Sequence, residues 1–308
     1  MSTALSPQDD PDGQMPMPFP AAAQYAAQVM AWSRQANFSG QYVQKGVAYN
    51  AFGAHRLQRF DAFSPVGASN APILIFWHGG GWTNGYRDYV HFMAQHVCAL
   101  GIVLIAPSYR LVPEHRLPAA YDDALACLAY VHAHASQFGG NANCILLSGH
   151  SAGGHLASLL ALRQQSAVRS SIRACLPISA IMDLRHKAPP PGSLEERVYK
   201  LVLQAPEDDA VMSPVHWANN WAGDSSGRPA DDGRIPFELT IGEHDSERVR
   251  LSNQDLAARL DAQGVPVALH EQAGQTHFDT HTSLAQAPHP WYALLASHAV
   301  HAAKAVPT

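Results

Sequence analysis

The sequence is short of charge. Only 15% of its 308 residues are Asp, Glu, Lys or Arg, against about 25% in an average domain. That shortage argues against a coiled coil, a disordered chain or a heavily solvated interaction surface. A basic surplus is also lacking: 20 Lys and Arg face 25 Asp and Glu, a net charge of −5 at pH 7. With no surplus to neutralise phosphates, no nucleic-acid partner is expected. Cysteine is scarce. Cys98, Cys127, Cys144 and Cys175 lie far apart with no C-x-x-C among them, so neither a zinc knuckle nor a redox pair is indicated. Cys98, Cys127 and Cys144 sit in apolar segments and read as small core residues, reduced, in a cytoplasmic protein. Long apolar runs are missing too. Residues 71–77 and 102–106 fall far below the ~18 residues of a spanning helix. Neither H-E-x-x-H nor clustered carboxylates appear, so no metal and no other cofactor is expected.

What is present is a large core in waiting, with 47% hydrophobic residues. Residues 1–20 are acidic and proline-rich and lack the positive start and apolar middle of a signal peptide. They read as a flexible N-terminal arm. Residues 21–37 read as a helix, and 42–49 and 57–63 as two strands. From residue 72 a rhythm sets in. Apolar strands at 72–77, 102–106, 144–148 and 172–178 alternate with helices at 89–100, 119–138 and 152–163. Such alternation predicts an α/β fold, a mostly parallel central sheet with helices on both faces. The rhythm breaks at about 183–233, which reads as a small cap insertion rather than a second domain. It resumes with strands at 237–241 and 265–270 and helices at 248–263 and 291–303. Residues 21–308 therefore read as one domain.

Between the strand at 144–148 and the helix at 152–163 runs Gly149-His150-Ser151-Ala152-Gly153-Gly154, a G-x-S-x-G. Placed there, the serine sits on a sharp, strained turn that lifts its Oγ above the strand ends. The following helix aims its first N–H groups at developing negative charge. Ser151 is the expected nucleophile. The strand at 72–77 ends in His78-Gly79-Gly80-Gly81-Trp82. Consecutive glycines let backbone N–H groups converge on one point, as an oxyanion hole requires. Gly80, Gly81 and Ala152 are the expected donors, and His78 reads as a structural loop residue.

A serine hydroxyl needs an adjacent base, and the base needs an orienting group. On such an elbow the acid and then the histidine follow later in the chain. The strand at 237–241 leads into Gly242-Glu243-His244-Asp245, and the strand at 265–270 leads towards His277. With 18 histidines, any one is a bystander by default. His132, His134, His298 and His301 fall on predicted helices and read as surface residues, and His270 lies on a strand. His277 alone sits at the loop position. For the acid Asp245 leads, with Glu243 as rival.

These residues carry a resemblance. The chain resembles the α/β-hydrolase superfamily, in the branch with an H-G-G-G oxyanion loop. That branch includes hormone-sensitive-lipase-like carboxylesterases and arylformamidase-like enzymes. The likeness runs from about Tyr42 to the C-terminus, through His78–Trp82, Ser108-Tyr-Arg-Leu-Val-Pro-Glu-His115 and Gly149–Gly154. His150 stands where typical members have aspartate, and Asp245 is followed by Ser246 rather than by P-L. The string Gly242–Glu247 is closer to arylformamidase-like sequences. The resemblance implies an α/β-hydrolase fold and a metal-free Ser151–His277–Asp245 mechanism. The leading substrate is a small-molecule carboxylic ester; the short insertion at about 183–233, with Trp217 and Trp221, points to a short acyl group and an aromatic portion, and the alternative is an N-formyl aryl amide. A non-catalytic receptor on the same fold is a remote third reading, since no triad member is missing. Trp82, Trp217, Trp221 and Phe278 are the candidates for apolar pocket walls, and each reads equally as core.

Overall fold

The computed structural model describes residues 14–50, 55–163, 167–218 and 234–304. Eight strands form one sheet: β1 (Gln41–Ala48), β2 (Arg59–Pro65), β3 (Ala71–Trp77), β4 (Val103–Pro107), β5 (Gly140–His150), β6 (Ile172–Ile178), β7 (Phe237–His244) and β8 (Val267–Thr276). Their order is β1-β2-β4-β3-β5-β6-β7-β8, antiparallel from β1 to β4 and parallel from β4 onwards. The α-helices are α1 (Pro20–Gln35), α2 (Ala94–Ala99), α3 (Leu117–His134), α4 (Ala152–Arg163), α5 (Leu194–Arg197), α6 (Pro214–Ala218), α7 (Glu247–Ala262), α8 (Asp279–Thr282) and α9 (Pro290–Lys304). None of the described helices is long and apolar enough to cross a membrane.

The apolar runs of β3, β4 and β5 are the middle of the core. Ile73–Trp77, Val103–Ala106 and Ile145–Leu147 are fully buried, as expected for strands covered on both faces. All four cysteines are free and buried. Helix α4 is buried from Ala152 to Leu162 and packs against β5 and β6. The core thus grips the helix that begins immediately after Ser151.

Two elements and one side chain differ from expectation. The predicted helix at 89–100 is a 3₁₀ segment, Arg87–Met93, followed by the short α2. Nearly every residue of that segment is buried, polar ones included, so it has no amphipathic stripe to favour a longer α-helix. Strand β8 runs on to Thr276, past the expected end at 270, where exposed Glu271, Ala273, Gly274 and Thr276 make no apolar run. His298 is half-buried and holds Glu238 Oε1 at 2.8 Å, with His270 on Oε2 at 2.7 Å. It ties α9 to the sheet rather than facing solvent. Of the predicted arm, residues 1–13 lie outside the described residues. Gln14 is docked, donating to Gly85 O at 3.0 Å and accepting from Gly85 N at 2.8 Å.

Asp61 on β2 is buried between Arg87 Nε and His91 Nε2, each 2.9 Å from its carboxyl, and accepts from Gly46 N at 2.6 Å. Burial alone would raise its pKa. The His91 contact, the Arg87 charge and the Gly46 amide outweigh it and hold the carboxyl at about 2, below its ordinary 3.8. A depressed carboxyl stabilises the fold above its unfolded pKa and stops doing so as pH falls through the folded one. The contribution is about 2 kcal/mol. Urea unfolding from pH 5 down to about 2 should show wild type losing that much more stability than Asp61→Asn. Parallel losses in both proteins would refute this account of Asp61.

Candidate active site

Ser151 occupies the turn between β5 and α4 with φ of 53°, a left-handed conformation that costs a non-glycine residue energy. The turn persists because its surroundings leave no alternative. Ser151 N donates to Ile178 O on β6 at 2.8 Å. Gly153 lies so close to β3 that a Cβ there would meet Trp77 O at 2.0 Å. Only glycine fits, and the close approach locks α4 against the ends of the central strands.

His277 follows β8 and meets the serine: Nε2 lies 3.0 Å from Ser151 Oγ, and Nδ1 lies 2.7 Å from Asp245 Oδ1. The imidazole is 26% exposed, the Asp245 carboxylate not at all. Asp245 is strongly held on its other oxygen, where Ser179 Oγ donates at 2.6 Å and Gly242 N at 2.8 Å. Burial pushes the Asp245 carboxyl up, but the contacts of His277, Ser179 and Gly242 outweigh it, so the group sits below the usual carboxylate range. The rival Glu243 points elsewhere. It is exposed and accepts from Gly274 N at 2.7 Å. Ser151, His277 and Asp245 are thus brought together, and Glu243 is not.

The glycine loop leaves β3 and folds back on itself. Gly80 O accepts from Thr83 N at 3.1 Å and Asn84 N at 3.0 Å, with φ of 127° at Gly80 and 60° at Gly81. Among the described residues the amides of Gly80 and Gly81 have no hydrogen-bond acceptor. The Ala152 amide opens α4 and is one of the donors every helix start leaves over. Asn84 Nδ2 also donates to Met15 O, so the segment before α1 braces the loop. His78 is fully buried, stacked on Tyr109 at 4.4 Å, with burial lowering its pKa to about 4. It is part of the loop's foundation.

The four aromatic candidates separate. Phe278 packs edge-on against His277 at 5.2 Å and stacks on Tyr25 at 4.8 Å. It is the one of the four beside His277. Trp82 is 3% exposed and packs edge-on against His155 at 5.1 Å, so it anchors the loop from within. Trp217 packs against the core. Its ring takes the Arg163 guanidinium at 5.1 Å, and its Nε1 donates to Val211 O at 2.9 Å. Arg163 is the last residue of α4. Trp221 lies outside the described residues.

Some groups escaped the sequence reading. Tyr25 reaches the site from α1, over a hundred residues earlier in the chain, which no local motif announces. Ser179 and Thr280 support the acid, with a 2.8 Å contact between their hydroxyls. His55, Glu114 and His115 place possible ligand atoms within 4.8 Å of one another. That spread is wider than the edge of about 3.4 Å in a tetrahedral zinc–histidine site.

Comparison with known proteins agrees with this architecture. A sequence profile described as alpha/beta hydrolase fold matches residues 74–280. Carboxylesterase NlhH of Mycobacterium tuberculosis is 37% identical over 98 residues, 32% of this chain and 31% of that protein. The match thus spans about a third of that relative's length. Carboxylesterase 20 of Arabidopsis thaliana is 29% identical over 237 residues, 69% of this chain and 70% of that protein. Among solved structures, esterase B from Lactobacillus rhamnosis with a tributyrin phosphonate superposes with a TM-score of 0.73 at 21% identity. The superposition covers 92% of this chain and 94% of that one. Since the profile match takes in more than half of the residues, the chain belongs to the alpha/beta hydrolase fold family.

Proposed function

We propose that the protein is a carboxylesterase that cleaves small esters through an acyl-enzyme on Ser151. The observation that carries this reading is the continuous series of contacts from Asp245 to His277 to Ser151, at 2.7 and 3.0 Å. His277 takes the Ser151 proton as Oγ attacks the ester carbonyl. The oxyanion that forms is received by the Gly80, Gly81 and Ala152 amides; a single such donor is worth about 3–4 kcal/mol in the transition state. Asp245 keeps the Nδ1–H tautomer and stabilises the imidazolium. His277 then protonates the leaving alcohol, and water enters to release the acid by the same steps. The carboxylesterase names of the curated relatives support the ester as substrate.

The acyl part is short in this reading. Phe278, backed by Tyr25 at 4.8 Å and by Phe19 at 6.1 Å, closes the flank of His277. An aromatic wall there suits a flat leaving group and leaves little room for a long chain. The test compares p-nitrophenyl acetate, p-nitrophenyl dodecanoate and N-formylkynurenine. kcat/KM should be highest for the acetate and lowest for the formamide, because an aryl amine leaves less readily than a phenol. Rates rising from acetyl to dodecanoyl would overturn the short-acyl reading. An N-formylkynurenine kcat/KM of about 10⁵ M⁻¹s⁻¹ or more would mark the formamide as the better substrate.

A further inference from the structure

Behind His277 lies a buried polar chain that the catalytic steps above do not use. His150 Nε2 is 2.8 Å from His277 O. His150 Nδ1 is 3.4 Å from Tyr25 Oη, and Tyr25 Oη is 2.8 Å from His281 Nδ1. All three side chains are buried. The two imidazoles are stacked face to face at 5.1 Å and 10°.

The direction of every hydrogen follows from counting. A carbonyl only accepts, so His150 Nε2 carries the hydrogen and its Nδ1 is a bare acceptor. Tyr25 then serves Nδ1 with its hydroxyl hydrogen, and Tyr25 Oη accepts from His281 Nδ1–H. This leaves His281 Nε2 without a hydrogen. That is the tolerable outcome, since Nε2 has no partner among the described residues and the ring packs on Phe76 and Phe92. Reversing the chain would bury an unsatisfied N–H at His281 and an unserved Nδ1 at His150, each a costly loss. Burial, followed by the nearby His277 and His281, keeps His150 neutral, as this arrangement requires.

The His277 carbonyl has a second neighbour, the Thr280 hydroxyl at 2.9 Å. That hydroxyl is also 2.8 Å from Ser179 Oγ, whose own hydrogen goes to the Asp245 carboxylate. Thr280 has one hydrogen for two acceptors. His150 Nε2–H is the donor whose hydrogen has no rival acceptor.

We infer that Tyr25, His150 and His281 are positioning residues that hold the His277 backbone, and through it the imidazole, in line between Ser151 and Asp245. The inference rests on the serine-esterase reading. It makes α1 part of the apparatus: the helix supplies the hydroxyl that orders both buried imidazoles.

The test starts with wild type, whose Ser151 must take up a serine-directed phosphonate. Failure there refutes the esterase reading before any variant is made. Tyr25→Phe keeps the ring stack and removes the hydroxyl. It should lower kcat on p-nitrophenyl acetate about 10- to 100-fold, the usual cost of a catalytic group out of place. Phosphonate labelling should slow by the same factor, with KM nearly constant. The far-downfield proton resonance of the His277 Nδ1–H, bridging to Asp245, should broaden or move. His150→Gln, which still places an N–H near the Nε2 position, should retain more kcat than His150→Leu. His281→Asn, which still offers Tyr25 a donor, should retain more than His281→Phe. These pairs lie outside α1 and serve if Tyr25→Phe fails to fold. Folded variants with wild-type kcat, labelling rate and proton resonance would overturn the inference. So would a loss in thermal stability alone, or no difference within either pair.

Discussion

Replacing Ser151 by alanine should lower kcat by about 10⁴- to 10⁶-fold while the protein stays folded. The reasons lie in the local geometry. Alanine keeps the serine Cβ, adds no volume and inherits the same φ of 53° without a new clash. The one side-chain hydrogen bond lost is that to His277 Nε2 at 3.0 Å. His277 remains partly exposed, so water can serve the freed nitrogen and the structural cost is small. The chemical cost is large, because no other hydroxyl lies within reach of that nitrogen among the described residues. The Gly80, Gly81 and Ala152 amides stay in place. In the proposed mechanism they still receive the carbonyl oxygen, and residual turnover of about 10³–10⁴ over water is what such donors and binding sustain alone. The measurement is kcat on p-nitrophenyl acetate together with the mass of the phosphonate-treated protein. Wild type should gain the phosphonate mass on the peptide that contains Ser151, and Ser151→Ala should gain none. Near-normal turnover in the variant, or labelling of another serine, would remove Ser151 from the role.

How much of this was legible in the sequence depends on how local each signal is. The strands β3 to β6 were readable because burial on both faces writes an unbroken apolar run. The elbow was readable because a strained serine between glycines needs its neighbours in adjacent positions. The end of β8 was not, since an exposed edge strand has no apolar signature. The 3₁₀ segment from Arg87 was not, because its shape answers to a buried partner, Asp61, on another strand. Tyr25 lies in an alanine-rich helix whose pattern reads as packing, and its hydroxyl acquires meaning only once β5 and α8 are brought beside it. Trp217 reads in the sequence equally as wall or core, and only the fold shows its ring against the Arg163 guanidinium. Asp245 led Glu243 in the sequence by its place in the turn, and the geometry separates the two: Asp245 faces His277, whereas Glu243 accepts from Gly274.

That separation sets up the second large effect. Asp245→Asn should cost on the order of 10⁴ in kcat, and the surroundings of this carboxylate specify why. Oδ2 receives two donors, Ser179 Oγ–H at 2.6 Å and Gly242 N–H at 2.8 Å. Both demand an acceptor. In the asparagine variant only the amide oxygen can meet them, so the NH₂ must occupy the Oδ1 position, 2.7 Å from His277 Nδ1. An NH₂ there forces Nδ1 to accept, which moves the imidazole hydrogen to Nε2. The hydrogen then faces Ser151, and the base cannot take the serine proton. Shape is preserved and the tautomer is wrong. Removing one of the two donors should relax the constraint. Ser179→Ala in the Asp245→Asn background should therefore recover part of the lost kcat, although Ser179→Ala alone lowers it. Glu243→Gln should change kcat little, since its carboxylate is exposed and holds only the Gly274 amide. The check is kcat/KM on p-nitrophenyl acetate for all four variants. A double variant no better than Asp245→Asn would defeat the account of how the amide is oriented. A larger loss from Glu243→Gln than from Asp245→Asn would exchange the two carboxylates in the mechanism.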